Sequence, residues 1–101
     1  MPLSEILDRY TITKLKSERT NEDVSVELSA YKSEIGNPDY AKQYSKIESF
    51  INRLYEINGE LWNTEGDIRK GTEMPLEDIG RLALKVRDLN CQRNEIKAEI
   101  V

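Results

Sequence analysis

The sequence predicts an all-α fold: a long antiparallel helical hairpin, coiled-coil-like, with two shorter N-terminal helices packed on it as a helix bundle. Three observations carry this prediction. Between Asn37 and Gly71, the residues Tyr40, Tyr44, Ile47, Ile51, Leu54, Asn58, Leu61, Glu65 and Ile68 recur at alternating steps of four and three, the seam of a coiled coil or bundle. Leu76, Ile79, Leu82, Val86, Leu89, Arg93, Ile96 and Ile100 carry a second stripe to the end of the sequence. The connection from Thr72 to Pro75 is short enough to force the two helices antiparallel.

Taken in order, the first helix is expected over about residues 4–18, capped by Ser4, with Ile6, Leu7, Tyr10, Ile12 and Leu15 as its stripe. Thr11, Ile12 and Thr13 are β-branched in succession and lower its helix propensity by a few tenths of a kcal/mol each. A second helix, over about 23–35, opens at Asn21 or Asp23 and presents Val24, Leu28, Tyr31 and Ile35 before Gly36-Asn37-Pro38 ends it. The third helix, over about 38–70, is capped by Asn37, has Pro38 in its first turn and stops at Gly71. At about 1.5 Å per residue it is roughly 50 Å long. The fourth, over about 75–100, has Pro75 in its first turn. Folding about residue 72 places Asn58 near Val86, Leu54 near Leu89 or Asn90, and Ile47 near Ile96. The two N-terminal helices then lie as a second hairpin against the N-terminal half of the third helix and the C-terminal half of the fourth.

Residues 1–101 form a single domain, large enough for one core. Hydrophobic residues are 38% and charged residues 34%, the balance of an elongated helical protein with much surface. The net charge of −4 argues against a general grip on nucleic acid or an anionic membrane. Cys91 is the single cysteine, so no internal disulfide forms and the expected setting is a reducing cytoplasm. There is no histidine, which removes the commonest general base and zinc ligand. The start, MPLSEILDRY, has no signal-like pattern, and no run of 18 apolar residues occurs.

Beside its seam, the third helix shows Phe50 and Ile57 on one flank and Tyr55, Gly59, Trp62 and Gly66 on the other. A helix apolar on several faces needs several neighbours. The two glycines would admit a close-packed helix. The expected cover is a second copy of the chain, giving a symmetric dimer.

Polar candidates are weighed against structural roles. Asn58 and Glu65 on the seam either line a bundle site or fix pairing, with Arg69 or Arg81 as partners for Glu65. Trp62 with Tyr55 is either a binding platform or an interface anchor, and the anchor is favoured. Acid pairs such as Glu5-x-x-Asp8 resemble half of the magnesium-binding pattern of all-helical pyrophosphohydrolases, but 19 acids in 101 residues produce such pairs on solvated faces. The last helix carries Arg87, Asn90, Arg93 and Lys97, able to bind a carboxylate or phosphate, or else paired internally with Glu95 and Glu99. Arg93 asks for a partner at its seam position, with Glu5, Asp8 and Glu48 as candidates. Cys91 reads as a small packing residue.

Several blocks resemble a domain-of-unknown-function family of short helical bacterial and phage proteins, some encoded near surface-polysaccharide genes. The blocks are Glu5-Ile6-Leu7-Asp8 with Thr11-Ile12, then Asn58 with Leu61-Trp62, Glu65 and Ile68-Arg69, then Asn90, Arg93 and Lys97. The sequence departs from that pattern at Thr64, which replaces an apolar residue, and at Gly66, which replaces an acid. The resemblance implies a helical fold and no activity.

The resulting expectation is a non-catalytic protein-interaction or assembly module acting through an exposed apolar flank of the long helix, as a homodimer or with another protein. Its candidate residues are Tyr55, Asn58, Gly59, Leu61, Trp62, Glu65, Arg69, Asn90, Arg93 and Lys97. No catalytic, cofactor-binding or metal-binding residue is assigned, and neither nucleic acid nor membrane is an expected partner. The alternative is a small all-helical enzyme or ligand binder using bundle acids and Arg or Lys, such as a magnesium-dependent nucleotide pyrophosphohydrolase.

Overall fold

The computed structural model describes residues 2–70 and 75–100, with Arg69 and Lys70 described by backbone alone. Four α-helices dominate: α1 (Leu3–Arg19), α2 (Ser25–Ile35), α3 (Tyr44–Lys70) and α4 (Leu76–Glu99), with no strand among the described residues. Gly71 as a stop, the segment 72–74 and the Arg69 side chain lie outside the described residues.

Helix α1 starts one residue before Ser4, which therefore sits inside the first turn and does not cap it. Pro2 takes the cap position at φ −61° without a side-chain bond, and its carbonyl accepts from the Glu5 and Ile6 amides at 3.1 Å. The β-branched run stays helical because packing outweighs propensity: Thr11 and Thr13 are buried, and the Thr11 hydroxyl donates to the Asp8 carbonyl at 2.7 Å. Asp23 does help to open α2, since its Oδ1 accepts from the Ser25 amide at 3.1 Å.

The long helix is shorter than its sequence pattern suggests. Residues Pro38–Gln43 form a 3-10 helix, so α3 proper has 27 residues, roughly 40 Å. Asn37 caps as expected, its Oδ1 accepting from the Asp39 amide at 2.9 Å, and Pro38 follows in the first turn. The Tyr44 hydroxyl reaches back to the carbonyls of Asn37 and Gly36, at 2.6 and 2.9 Å. That tether draws the linker into the tighter three-residue winding. Helix α4 follows Pro75, which precedes the first turn instead of lying in it; its carbonyl accepts from the Asp78 and Ile79 amides.

The core is built where three helices meet. Leu3 and Leu7 of α1, Ile47, Phe50 and Leu54 of α3, and Ile96 and Ile100 at the end of α4 form one buried cluster. Ile47 and Ile96 thus share a cluster, and Arg53 of α3 pairs with Glu99 of α4 at 2.6 Å. Only one N-terminal helix packs on this pair in the expected way. Helix α1 lies on α3 and on the C-terminal part of α4, whereas α2 rests on α1 and none of its residues is buried. Ile35, its last residue, is half-buried against the cluster. Confined to one layer beyond α1, α2 buries none of the described side chains beyond Thr64 in α3 or before Leu89 in α4. None of the described helices is long and apolar enough to cross a membrane.

Candidate functional site

A buried polar junction ties the three core helices together. Glu5, Asp8 and Thr11 fall at steps of three on α1 and therefore share a face. Asn58 meets them from α3: its amide nitrogen donates to Asp8 Oδ1 and to Thr11 Oγ1, both at 2.9 Å. Since the Thr11 proton goes to the Asp8 carbonyl, its oxygen is free to accept. From α4, Lys97 Nζ donates to Glu5 Oε1 and lies 3.7 Å from Asp8 Oδ2. Asp8, only 5% exposed, thus has both oxygens served, as a buried carboxylate requires. The Lys97 hydrogen bond, against the opposing effect of burial, holds the Glu5 carboxyl below its ordinary value, with the charges of Lys97, Arg9 and Arg93 acting in the same direction.

This junction corrects three expectations. Asn58 does not serve as a polar interruption between α3 and α4, because its partners are on α1. Lys97 and Glu99 do not pair within α4; they reach α1 and α3, respectively. Glu5 and Asp8 converge on an ammonium group, so Lys97 already fills the position a shared cation would take. Among the described residues no cluster of three or more potential ligands could hold a metal.

Arg93 lies one turn before Lys97 and has a different fate. Among the described residues no acid pairs with it, Glu5, Asp8 and Glu48 included, and its Nε is buried without a hydrogen-bond partner. It borders a cavity of about 130 Å³ between the three helices. Ile12, Leu15, Leu61 and Trp62 form the apolar walls, with Asn58 and Glu65 as the other polar edges. Asn58, Leu61, Trp62 and Glu65 follow one another at helical spacing on α3, which places all four on the same side. Glu65 is exposed, not buried on the seam, and Arg81 pairs with Asp78 at 3.8 Å instead of with Glu65.

The flank assigned to a second copy is covered largely by the chain itself. The Tyr55 hydroxyl donates to Glu18 Oε1 at 2.5 Å, which raises the phenol's pKa, and Lys14 Nζ lies 5.3 Å from the ring centre. Arg19 donates to Asn63 Oδ1 at 2.6 Å and, at 3.4 Å, to the Gly59 carbonyl. A methyl group on Gly59 would meet Leu15 and Arg19 at ordinary contact distance, 3.8 and 3.5 Å, and one on Gly66 would meet nothing within 4 Å. Neither glycine is therefore demanded by close packing. Trp62 remains half-buried, Asn90 is half-buried outside the junction, and Cys91 is exposed instead of packed.

Thr11, Arg19 and Asn63 carry contacts that sequence periodicity did not single out, since hydroxyl and amide partners between helices leave no mark on spacing. Glu5 and Asp8 stand out in the sequence as an acid pair and as candidate partners of Arg93, and the structure brings them, with Thr11, to Asn58 and Lys97. Comparison with protein-family models, with characterised proteins and with solved structures finds no match for this chain.

Proposed function

We propose that this protein is a non-catalytic assembly module, a homodimer formed through the uncovered half of α3 and α4. One observation carries the reading: among the described side chains, none beyond Thr64 in α3 and none before Leu89 in α4 is buried. Ile68, Ile79, Leu82 and Val86 stay only half-buried there, and Leu76 and Leu84 are 86% and 52% exposed. Two helices alone cannot bury such a stripe on both sides, and a second copy related by a two-fold axis would complete a four-helix bundle. In this reading α3 and α4 are the arms of a coiled-coil-like antiparallel hairpin, supported by the Arg53–Glu99 pair and the shared cluster of Ile47 and Ile96. The acidic net charge fits a protein partner in the cytoplasm better than nucleic acid or a membrane surface.

Sedimentation equilibrium tests the reading. The wild type is expected to be a dimer at about 100 μM, and a variant combining Leu76→Glu and Leu84→Glu a monomer with unchanged helix content. A wild-type monomer at that concentration would overturn the proposal.

A further inference from the structure

The cavity beside Arg93 offers chemistry that the junction does not use. Among the described residues the buried Arg93 Nε has no acceptor, and a donor that has given up its hydration is a state native proteins resolve with a partner. The acids of α1 do not supply one, because Lys97 engages both Glu5 and Asp8. Asn58 has committed its amide nitrogen to Asp8 and Thr11, so only its carbonyl oxygen remains to offer. The cavity therefore presents one cationic donor, Arg93, against two acceptors, the Asn58 carbonyl and the Glu65 carboxylate, beside walls of leucine, isoleucine and tryptophan.

We infer that this cavity binds a small zwitterion of the α-amino acid type, its carboxylate on Arg93, its ammonium toward Asn58 and Glu65, and a short apolar side chain on Trp62 and Leu61. Charge selects this class: Arg93 and Glu65 sum to zero, which suits a neutral zwitterion and penalises a phosphate dianion beside Glu65. Size selects within it. A volume of about 130 Å³, close to that of a cavity that accepts benzene, encloses roughly six non-hydrogen atoms, and the open rim at exposed Glu65 leaves room for the charged end of the ligand outside it. Alanine, 2-aminobutyrate and valine, with short aliphatic side chains, meet that limit.

Trp62, the single tryptophan, lies in the wall and reports occupancy directly by its fluorescence. Titration of the intact protein with L-alanine, L-2-aminobutyrate and L-valine should give a saturable change below about 10 mM for at least one of them. For L-valine, the analogues 3-methylbutanoate, lacking the amine, and 2-methylpropylamine, lacking the carboxylate, should bind about tenfold more weakly or worse. Arg93→Met should abolish binding. Glu65→Gln, a change at an exposed position, should weaken the amino acids and leave 3-methylbutanoate unaffected. The inference is overturned by the absence of any saturable response, by inorganic phosphate or 3-methylbutanoate binding as tightly as the amino acids, or by undiminished amino-acid binding in folded Arg93→Met. If Arg93→Met does not fold, undiminished amino-acid binding in Glu65→Gln overturns it equally.

Discussion

Asn58 holds two elements together through one amide group, and its value lies in what it leaves behind when removed. Asn58→Ala strips Asp8 Oδ1 and Thr11 Oγ1 of their donor while both stay buried. The expected loss is about 2–3 kcal/mol, measured as a lower urea midpoint with unchanged slope. Asn58→Asp should be worse, since it sets a second carboxylate against Asp8. A buried asparagine on an apolar stripe was legible in the sequence as a specificity device, but its partner was not. Spacing along a helix fixes the face on which a residue lies, and gives no account of which neighbour faces it. Lys97 illustrates the same limit, having acids nearby in sequence and taking its partners from α1 instead.

At the level of the helices, the stripes on α1, α3 and α4 were legible because burial against two neighbours imposes the 3.6-residue period. The 3-10 stretch at Pro38–Gln43 was not, since its cause is the Tyr44 hydroxyl folding back onto Asn37 and Gly36, a contact no periodicity encodes. Glycines in a helix suggest close packing, but the space around Gly59 is enough for a side-chain methyl. Gly59→Ala fits its methyl at contact distance to Leu15 and Arg19. The expected outcome is a gain of about 0.5–1 kcal/mol in thermal or urea unfolding, because alanine relieves the entropic cost of glycine within a helix. A loss would mean that α1 approaches α3 more closely than these distances indicate. The candidate flank likewise divides by element: Tyr55 and Gly59 belong to the contact with α1, while Trp62 and Glu65 border the cavity.

For the whole molecule, the all-helical class was legible from composition and period together, whereas the position of α2 was not. Its stripe of Val24, Leu28, Tyr31 and Ile35 specifies a neighbour without saying which, and α1 is that neighbour. Global stability should carry the imprint of Glu5. Its folded-state pKa is depressed, chiefly by the Lys97 hydrogen bond, so its contribution is complete above the unfolded value of about 4.5 and disappears as pH falls through the lower folded value. Urea midpoints measured across that range should fall less steeply for Glu5→Gln than for the wild type. An identical acid limb in both proteins would count against the pairing.

The Glu5–Lys97 contact also joins residues 92 positions apart. In an unfolded chain, closing so large a loop costs more than forming any contact between neighbouring helices. The pairing is therefore expected late in folding, so that Glu5→Gln should leave the folding rate nearly unchanged and speed unfolding, as stopped-flow urea jumps would show. The end of α4 thus carries both the cation of the α1 acids, Lys97, and two members of the buried cluster, Ile96 and Ile100, so disturbing it removes charge balance and apolar cover from α1 together.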